Sequence, residues 1–225
     1  FKVNSILYDV SNMTDAIDIA SSRGLRVFYI AGHLTLASTD FSEGYIFQGD
    51  NVVSTTVTIE PAANVANCEF TNLSLSGEID NNNLVRQCAV GDITHVNGFL
   101  FQCGLVGTIT LGGGIQATIL DCYSGLAGDG LYPEINFGGT GQSLALRGYS
   151  GHILISNLAD ATTNSTLDLN SGYVGVLPSV TAGQVSIRGI ADVVDNSTGT
   201  ANILNLTVTE QIDNVPDTVW SYTRP

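Results

Sequence analysis

One short pattern recurs around the four cysteines of this 225-residue chain. Each cysteine follows an apolar residue by three positions and a polar residue by one. The apolar column is Val65, Val85, Leu100 and Ile119, the polar column is Asn67, Gln87, Gln102 and Asp121, and the cysteines are Cys68, Cys88, Cys103 and Cys122. Successive cysteines lie 20, 15 and 19 residues apart. A period of roughly 18 residues with inward apolar columns is typical of a solenoid, whose coils bury their apolar face only by stacking.

The rest of the chain favours the same architecture. It contains 25 Gly with 44 % hydrophobic and 12 % charged residues, a composition suited to strands and turns. From about residue 52 to 208, short apolar runs alternate with Gly, Asn, Asp and Ser, which indicates strands separated by corners. An antiparallel sandwich would also give many short strands, but the cysteine register favours parallel stacking. We therefore predict an all-β fold, a single-stranded parallel β-helix of right-handed sense, with roughly nine coils of about 18 residues.

Three segments are expected along the chain. Residues 1–50 form an N-terminal cap with a short helix and a strand, in which Ser11, Asn12 or Thr14 caps a helix reaching Arg23, and Gly24 ends it. The apolar face of this helix consists of Met13, Ile17 and Ala20. Residues 51–208 form the parallel β-helix. Residues 209–225, with two prolines and the only Trp, are interpreted as a linker or docking segment.

The cysteines themselves leave two readings open. A zinc site is disfavoured, because no two Cys or His ligands lie within the short spacing that such sites use. Stacked cysteines on neighbouring coils could remain buried free thiols or form one or more disulfides, since adjacent coils lie about 5 Å apart. We predict no metal and no cofactor.

Charge and hydropathy exclude two kinds of partner. The formal net charge is −14, from 7 Lys and Arg against 21 Asp and Glu, so a phosphate backbone would be repelled. No apolar run approaches the roughly 20 residues that cross a bilayer. Neither nucleic acid nor a membrane is an expected partner.

The residues that could carry chemistry form no recognisable motif, and we predict neither an enzyme nor any catalytic residue. A polysaccharide depolymerase would need paired carboxylates on a lateral groove. Candidates on neighbouring coils are Glu78, Asp80, Asp92, Asp121, Asp129 and Glu134. The three histidines, His33, His95 and His152, are interpreted as structural or solvent-facing. The corner at residues 78–83 has calcium-like oxygen ligands, but it matches no calcium motif and is expected to be solvated.

Several phrases of the chain resemble a known family. They include DAIDIASSRGLRVFYIAGHLTL, DITHVNGFLFQC, GGTGQSLALRGYSGHILISNL and TAGQVSIRGIADVVDNSTGT, followed by VPDTVW near the end. This set is similar to structural proteins of tailed-bacteriophage virions, found among neck, collar and tail components. The resemblance implies a β-helical part of the virion, assembled as a homotrimer and in contact with other neck or tail proteins, and it transfers no active-site residue. A tailspike-type depolymerase, a receptor-binding adhesin and a capsid decoration protein are the competing functions.

Overall fold

The computed structural model describes residues 2–3, 12–40, 43–79, 82–95, 97–113, 116–125, 132–139 and 141–208. Within these ranges the chain forms one α-helix, α1 (Met13–Arg23), and short β-strands that wind around a common core. The strands are β1 (Lys2–Val3), β2 (Val27–Ile30), β3 (Gly32–Leu36), β4 (Ile46–Gly49), β5 (Thr55–Ile59), β6 (Glu69–Thr71), β7 (Ser74–Ile79), β8 (Asn83–Arg86), β9 (Ala89–His95), β10 (Gly98–Phe101), β11 (Gly104–Leu105), β12 (Thr108–Leu111), β13 (Gln116–Leu120), β14 (Tyr123–Ser124), β15 (Glu134–Asn136), β16 (Ser143–Ser156), β17 (Asn164–Val176), β18 (Gln184–Gly189), β19 (Asp192–Asp195) and β20 (Asn202–Thr207).

From β2 onwards each strand pairs in parallel with the equivalent strand of the next coil, which produces two ladders, while β1 pairs antiparallel with β2. Ladder 1 runs through β2, β4, β6, β8, β10, β13, the first parts of β16 and β17, β18 and β20. Ladder 2 runs through β3, β5, β7, β9, the pairs β11/β12 and β14/β15, the second parts of β16 and β17, and β19. The fold is therefore an all-β parallel β-helix of about nine turns, as the sequence predicts.

The core is a set of inward columns, each containing one residue from every coil. The column inside ladder 1 begins with three phenylalanines, whose ring centroids lie 5.5 Å apart for Phe28 and Phe47 and 5.1 Å apart for Phe47 and Phe70. It continues through Val85, Leu100, Ile119, Leu146, Leu167 and Ile187. In the last described coil the column reaches Asn205, which is only partly buried. The apolar column thus ends one coil before the end of the described ladder.

The helix α1 follows the sequence prediction closely. Asn12 is its N-cap, and its side-chain oxygen accepts a hydrogen bond of 2.8 Å from the Asp15 N–H. Gly24 ends the helix with a left-handed φ of 66°. Met13 and Ala20 are buried and Ile17 is partly buried against the core. The parallel ladders begin directly after this helix, at Val27, within the segment 1–50 that the sequence assigns to the cap.

Three of the four cysteines stack as predicted, and the fourth does not. Cys88, Cys103 and Cys122 occupy one inward column, directly after ladder 1 turns into ladder 2. Cys68 instead stands before a ladder 1 strand, where its backbone N–H donates to the Asn83 side-chain oxygen at 3.3 Å. The prediction that Val65 belongs to the Val85 column is wrong for the same reason, because Phe70 is the partner of Val85.

A shared local turn explains this difference. The polar residue before each cysteine has a left-handed backbone, with φ of 58° at Asn67, 53° at Gln87, 54° at Gln102 and 51° at Asp121. At two different corners of the coil, such a residue turns the chain and directs the next side chain inward. Cys68 has the turn of the other cysteines but lies at the other corner. The sequence pattern therefore identifies the turn correctly and the position of the fourth cysteine incorrectly.

Candidate functional site

The candidate carboxylates are distributed along the coils rather than gathered into one pair. Glu78 and Asp92 line a shallow groove of about 250 Å³ on ladder 2, together with three threonines. The Asp92 carboxylate accepts a 2.7 Å hydrogen bond from the Thr108 N–H, which holds the following coil. Asp80 and Asp129 lie outside the described residues.

The other two carboxylates also have structural positions. Asp121 lies at the corner between the ladders, where its left-handed backbone turns the chain. Glu134 accepts a short hydrogen bond from the Ser156 hydroxyl on the next coil. Since Asp92 and Glu134 are both hydrogen-bonded within the solenoid, the described geometry assigns them to the framework of ladder 2.

The histidines lie on three different coils. His33 is exposed on β3, and His95 is fully buried on β9 between Ile79 and Leu111 of the adjacent coils. Neither ring nitrogen of His95 has a hydrogen-bond partner among the described residues, and burial lowers its pKa to about 4. His152 lies on β16, and the three histidines therefore do not form a common site.

His152 belongs to an aromatic cluster that the sequence analysis missed. Its ring centroid lies 4.5 Å from that of Tyr132 and 5.6 Å from that of Tyr173. Tyr132 is half exposed, so the cluster presents ring faces on the outer surface of ladder 2. The register of β16 and β17 places His152 opposite Tyr173, a proximity that cannot be inferred without knowing the coil length.

No metal centre emerges from the described residues. Within them, no group of three or more His, Cys, Asp or Glu side chains could hold a metal ion. At the corner considered for calcium, Asn82 donates to the Asn67 side chain at 3.4 Å and the Asn83 oxygen accepts from Cys68. Both amides therefore stabilise corner stacking. Asp80 and Asn81 lie outside the described residues.

The cysteines are free thiols with a structural role. All four are buried, and each thiol donates a weak hydrogen bond to the carbonyl two residues earlier. Burial raises the pKa of Cys68 to about 11. The neighbouring Cys103 thiol, together with burial, raises the pKa of Cys88 and Cys122 well above the ordinary value. Of the two readings left open by the sequence, the structure has the free thiols.

The outer surface of ladder 1 carries apolar and basic side chains, and we call it the basic face. Its apolar residues are Leu84, Phe99, Phe101 and Leu120, of which Phe99 is 49 % exposed and the other three are partly buried. Its basic residues, Arg86, Arg147 and Arg188, are three of the seven Lys and Arg in the chain and lie in one outward column. The same face holds two carboxylates, because Asp168 lies between Arg147 and Arg188 in that column and Glu69 pairs with Arg86. The sequence signal for this face is the run Phe99-Leu100-Phe101, since three successive apolar residues in a strand place apolar groups on both sides.

The outer surface of ladder 2 has the opposite charge, and we call it the acidic face. Its strands contribute the outward carboxylates Glu78, Asp92, Glu134 and Asp192, and within the described residues they contain no Lys or Arg. The aromatic cluster lies on the same face, and His152 and Tyr173 continue the column that leads to Asp192. The described strands of ladder 1 therefore present three arginines and two carboxylates, whereas those of ladder 2 present carboxylates without a Lys or Arg, and both faces include apolar surface.

Two further findings bear on function. No helix among the described residues is long and apolar enough to cross a membrane. Comparison with protein-family models, curated proteins and solved structures gave no match.

Proposed function

We propose that this chain is a non-enzymatic structural protein of a tailed-bacteriophage particle, a neck, collar or tail component that binds itself and other virion proteins. The observation that carries the proposal is the continuous stacked core beneath two outer faces that differ in charge. At about 4.8 Å per coil, nine turns give a stiff rod of roughly 43 Å. Such a rod suits a mechanical part, because it provides length and lateral binding surface without an internal cavity.

Three further features support this role. The phrases quoted from the sequence resemble virion scaffold proteins. The exposed Phe99, with the partly buried Leu84, Phe101 and Leu120 beside it on one face, is typical of a protein–protein contact surface. The carboxylates Asp92 and Glu134 act within the framework, which leaves the described groove with little catalytic equipment. A homotrimer remains the assembly that the resemblance implies.

The proposal is tested by locating the chain on particles. Mass spectrometry of purified particles of the phage that encodes this chain should detect the chain. Images of antibody-labelled particles should place it at the neck or tail. Its presence in infected cells together with its absence from purified particles would overturn the proposal. Label on the capsid lattice would identify a decoration protein instead.

A tailspike-type depolymerase or receptor-binding adhesin is the second candidate, and the aromatic cluster favours it. Tyrosine rings such as Tyr132 and Tyr173 can stack on sugar rings, and the Glu78–Asp92 groove lies on the same face. A depolymerase should release reducing ends from capsular or lipopolysaccharide glycan, and Asp92→Asn should abolish this release. An adhesin should bind whole cells without cleavage and lose binding in Tyr132→Ala. A chain that does neither supports the structural role.

A further inference from the structure

We infer that the basic face of one copy binds the acidic face of a second copy, so that the solenoids associate side by side. The inference rests on the proposed structural role, since a mechanical part works by binding other chains. It goes further by naming the two surfaces and the kind of contact between them.

The basic face has the composition of a contact surface. Phe99 and Leu84 are paired neighbours on β10 and β8, and Phe101 and Leu120 are paired neighbours on β10 and β13. Their outward side chains give an apolar centre, with Arg86 before it and Arg147 after it along the column. An apolar centre with a charged rim is the usual anatomy of a protein–protein interface.

Charge complementarity identifies the occupant as a second copy. Arg86 pairs with Glu69, and Asp168 lies between Arg147 and Arg188 in the column, although neither arginine is within ion-pair distance of a described carboxylate. One carboxylate beside two arginines leaves this part of the face positive. The chain carries a net charge of −14, and its acidic face displays four carboxylates without a basic residue on its described strands. The other face of every copy therefore offers the opposite charge to Arg147 and Arg188. Exposed tyrosine rings on that face also suit arginine stacking.

The heights of these groups along the rod agree with a side-by-side arrangement. Arg86 on β8 and Asp92 on β9 belong to the same coil, as do Arg188 on β18 and Asp192 on β19. Glu134 on β15 lies one coil before Arg147 on β16. A rotation about an axis parallel to the rod preserves height, so it brings Arg86 level with Asp92 and Arg188 level with Asp192 of the next copy, while Arg147 and Glu134 differ by one coil, about 4.8 Å. Contacts between two different faces close into a ring when the rotation closes.

Sedimentation of the purified full chain measures this association. The wild type should form an oligomer whose midpoint concentration rises with salt, because screening weakens the charge pairs. The double variant Arg147→Glu/Arg188→Glu should raise that midpoint about tenfold or more, since it opposes like charges. Glu78→Arg/Asp192→Arg should do the same from the other face. Phe99→Asp should weaken association, whereas Val53→Asp, at a 90 % exposed loop position, is the matched control and should not.

Mixing the two double variants gives the decisive result. Each variant alone should remain largely monomeric, and an equimolar mixture should recover association as heterodimers or even-numbered assemblies, since the carboxylate-bearing face of one variant then meets the arginine-bearing face of the other. Circular dichroism and the melting temperature establish that each variant is folded. A wild type that is monomeric throughout, or a mixture that does not recover, overturns the inference. The inference also fails if the Arg147→Glu/Arg188→Glu variant binds wild type while the Glu78→Arg/Asp192→Arg variant behaves as wild type. Basic faces would then pair with each other.

This experiment is separate from the particle test. A chain that is present in the particle but does not self-associate in solution refutes the inference alone. A self-associating chain that is absent from particles refutes the virion assignment alone.

Discussion

Replacing the buried His95 with leucine should remove a pH dependence from the stability of this protein. His95 is fully buried between Ile79 and Leu111, and neither ring nitrogen has a described partner. Protonation would place an unpaired charge in the apolar core, and burial accordingly lowers the pKa from 6.5 to about 4 in the folded state. Leucine matches the side chains above and below it.

The size and sign of the effect follow from proton linkage. Above pH 6.5 His95 is neutral in both the folded and unfolded states, so its contribution to stability is complete. As the pH falls from 6.5 towards 4, only the unfolded chain gains the proton, and the free energy of unfolding decreases. At about 1.4 kcal/mol per unit of pKa difference, the loss approaches about 3 kcal/mol at pH 4.

Urea denaturation of wild type and His95→Leu at pH 7, 6, 5 and 4 measures this difference. The gap between the unfolding free energies should widen in favour of the variant by about 2 kcal/mol at pH 5 and about 3 kcal/mol at pH 4. Carboxylates titrate in both proteins and cancel in the comparison. His33→Gln, at an exposed histidine, should leave the wild-type profile unchanged. A gap between wild type and His95→Leu that is constant from pH 7 to pH 4 would refute the reasoning.

Two other predictions concern the stacked core. Leu100→Asp places a charge in the ladder 1 column and should lower the free energy of unfolding by about 4 kcal/mol or more, seen as a large drop in melting temperature. Gln116→Asp, at an exposed position, should change the melting temperature little. Equal melting temperatures for both variants would contradict the stacked column. The four thiols should resist a thiol reagent such as dithionitrobenzoate in the folded protein, because all four are buried, and all should react in denaturant without reductant. Rapid labelling of the folded chain would contradict their burial, and fewer than four reactive thiols in denaturant would reveal a disulfide.

The fold could be predicted from the sequence because its local signals repeat. Left-handed polar residues before inward cysteines mark corners, and Asn12 and Gly24 mark the ends of α1. The position of Cys68 could not be predicted, because the two corners of the coil use the same turn and only long-range pairing distinguishes them. Coil length also varies, from 15 residues between Val85 and Leu100 to 27 between Ile119 and Leu146, so a fixed period loses the register.

The outer faces were less accessible to sequence reasoning. The run Phe99-Leu100-Phe101 indicates apolar groups on both sides of β10, but the alignment of Arg86, Arg147 and Arg188 depends on the lengths of all the coils between them. The aromatic cluster depends on the same lengths. Which residues lie next to each other on different coils depends on the lengths of all the coils between them. Short-range sequence patterns do not specify those lengths.

Two successive coils in the first half of ladder 1 have equal length, and this determines how the length of such a rod can change. Phe70, Val85 and Leu100 follow each other at intervals of 15 residues, with a corner and a strand recurring at the same place in each interval. Removing residues 87–101 would join Arg86 to Gln102, the same junction that Phe101 makes now. β13 would then pair with β8 in place of β10, and the ladder 1 pairings after β13 would keep their partners. Ancestral duplication or loss of such a unit would alter the rod in whole steps of about 4.8 Å. The length of the rod therefore changes only in whole coils, and two contacting rods could be matched in height by copying one 15-residue unit.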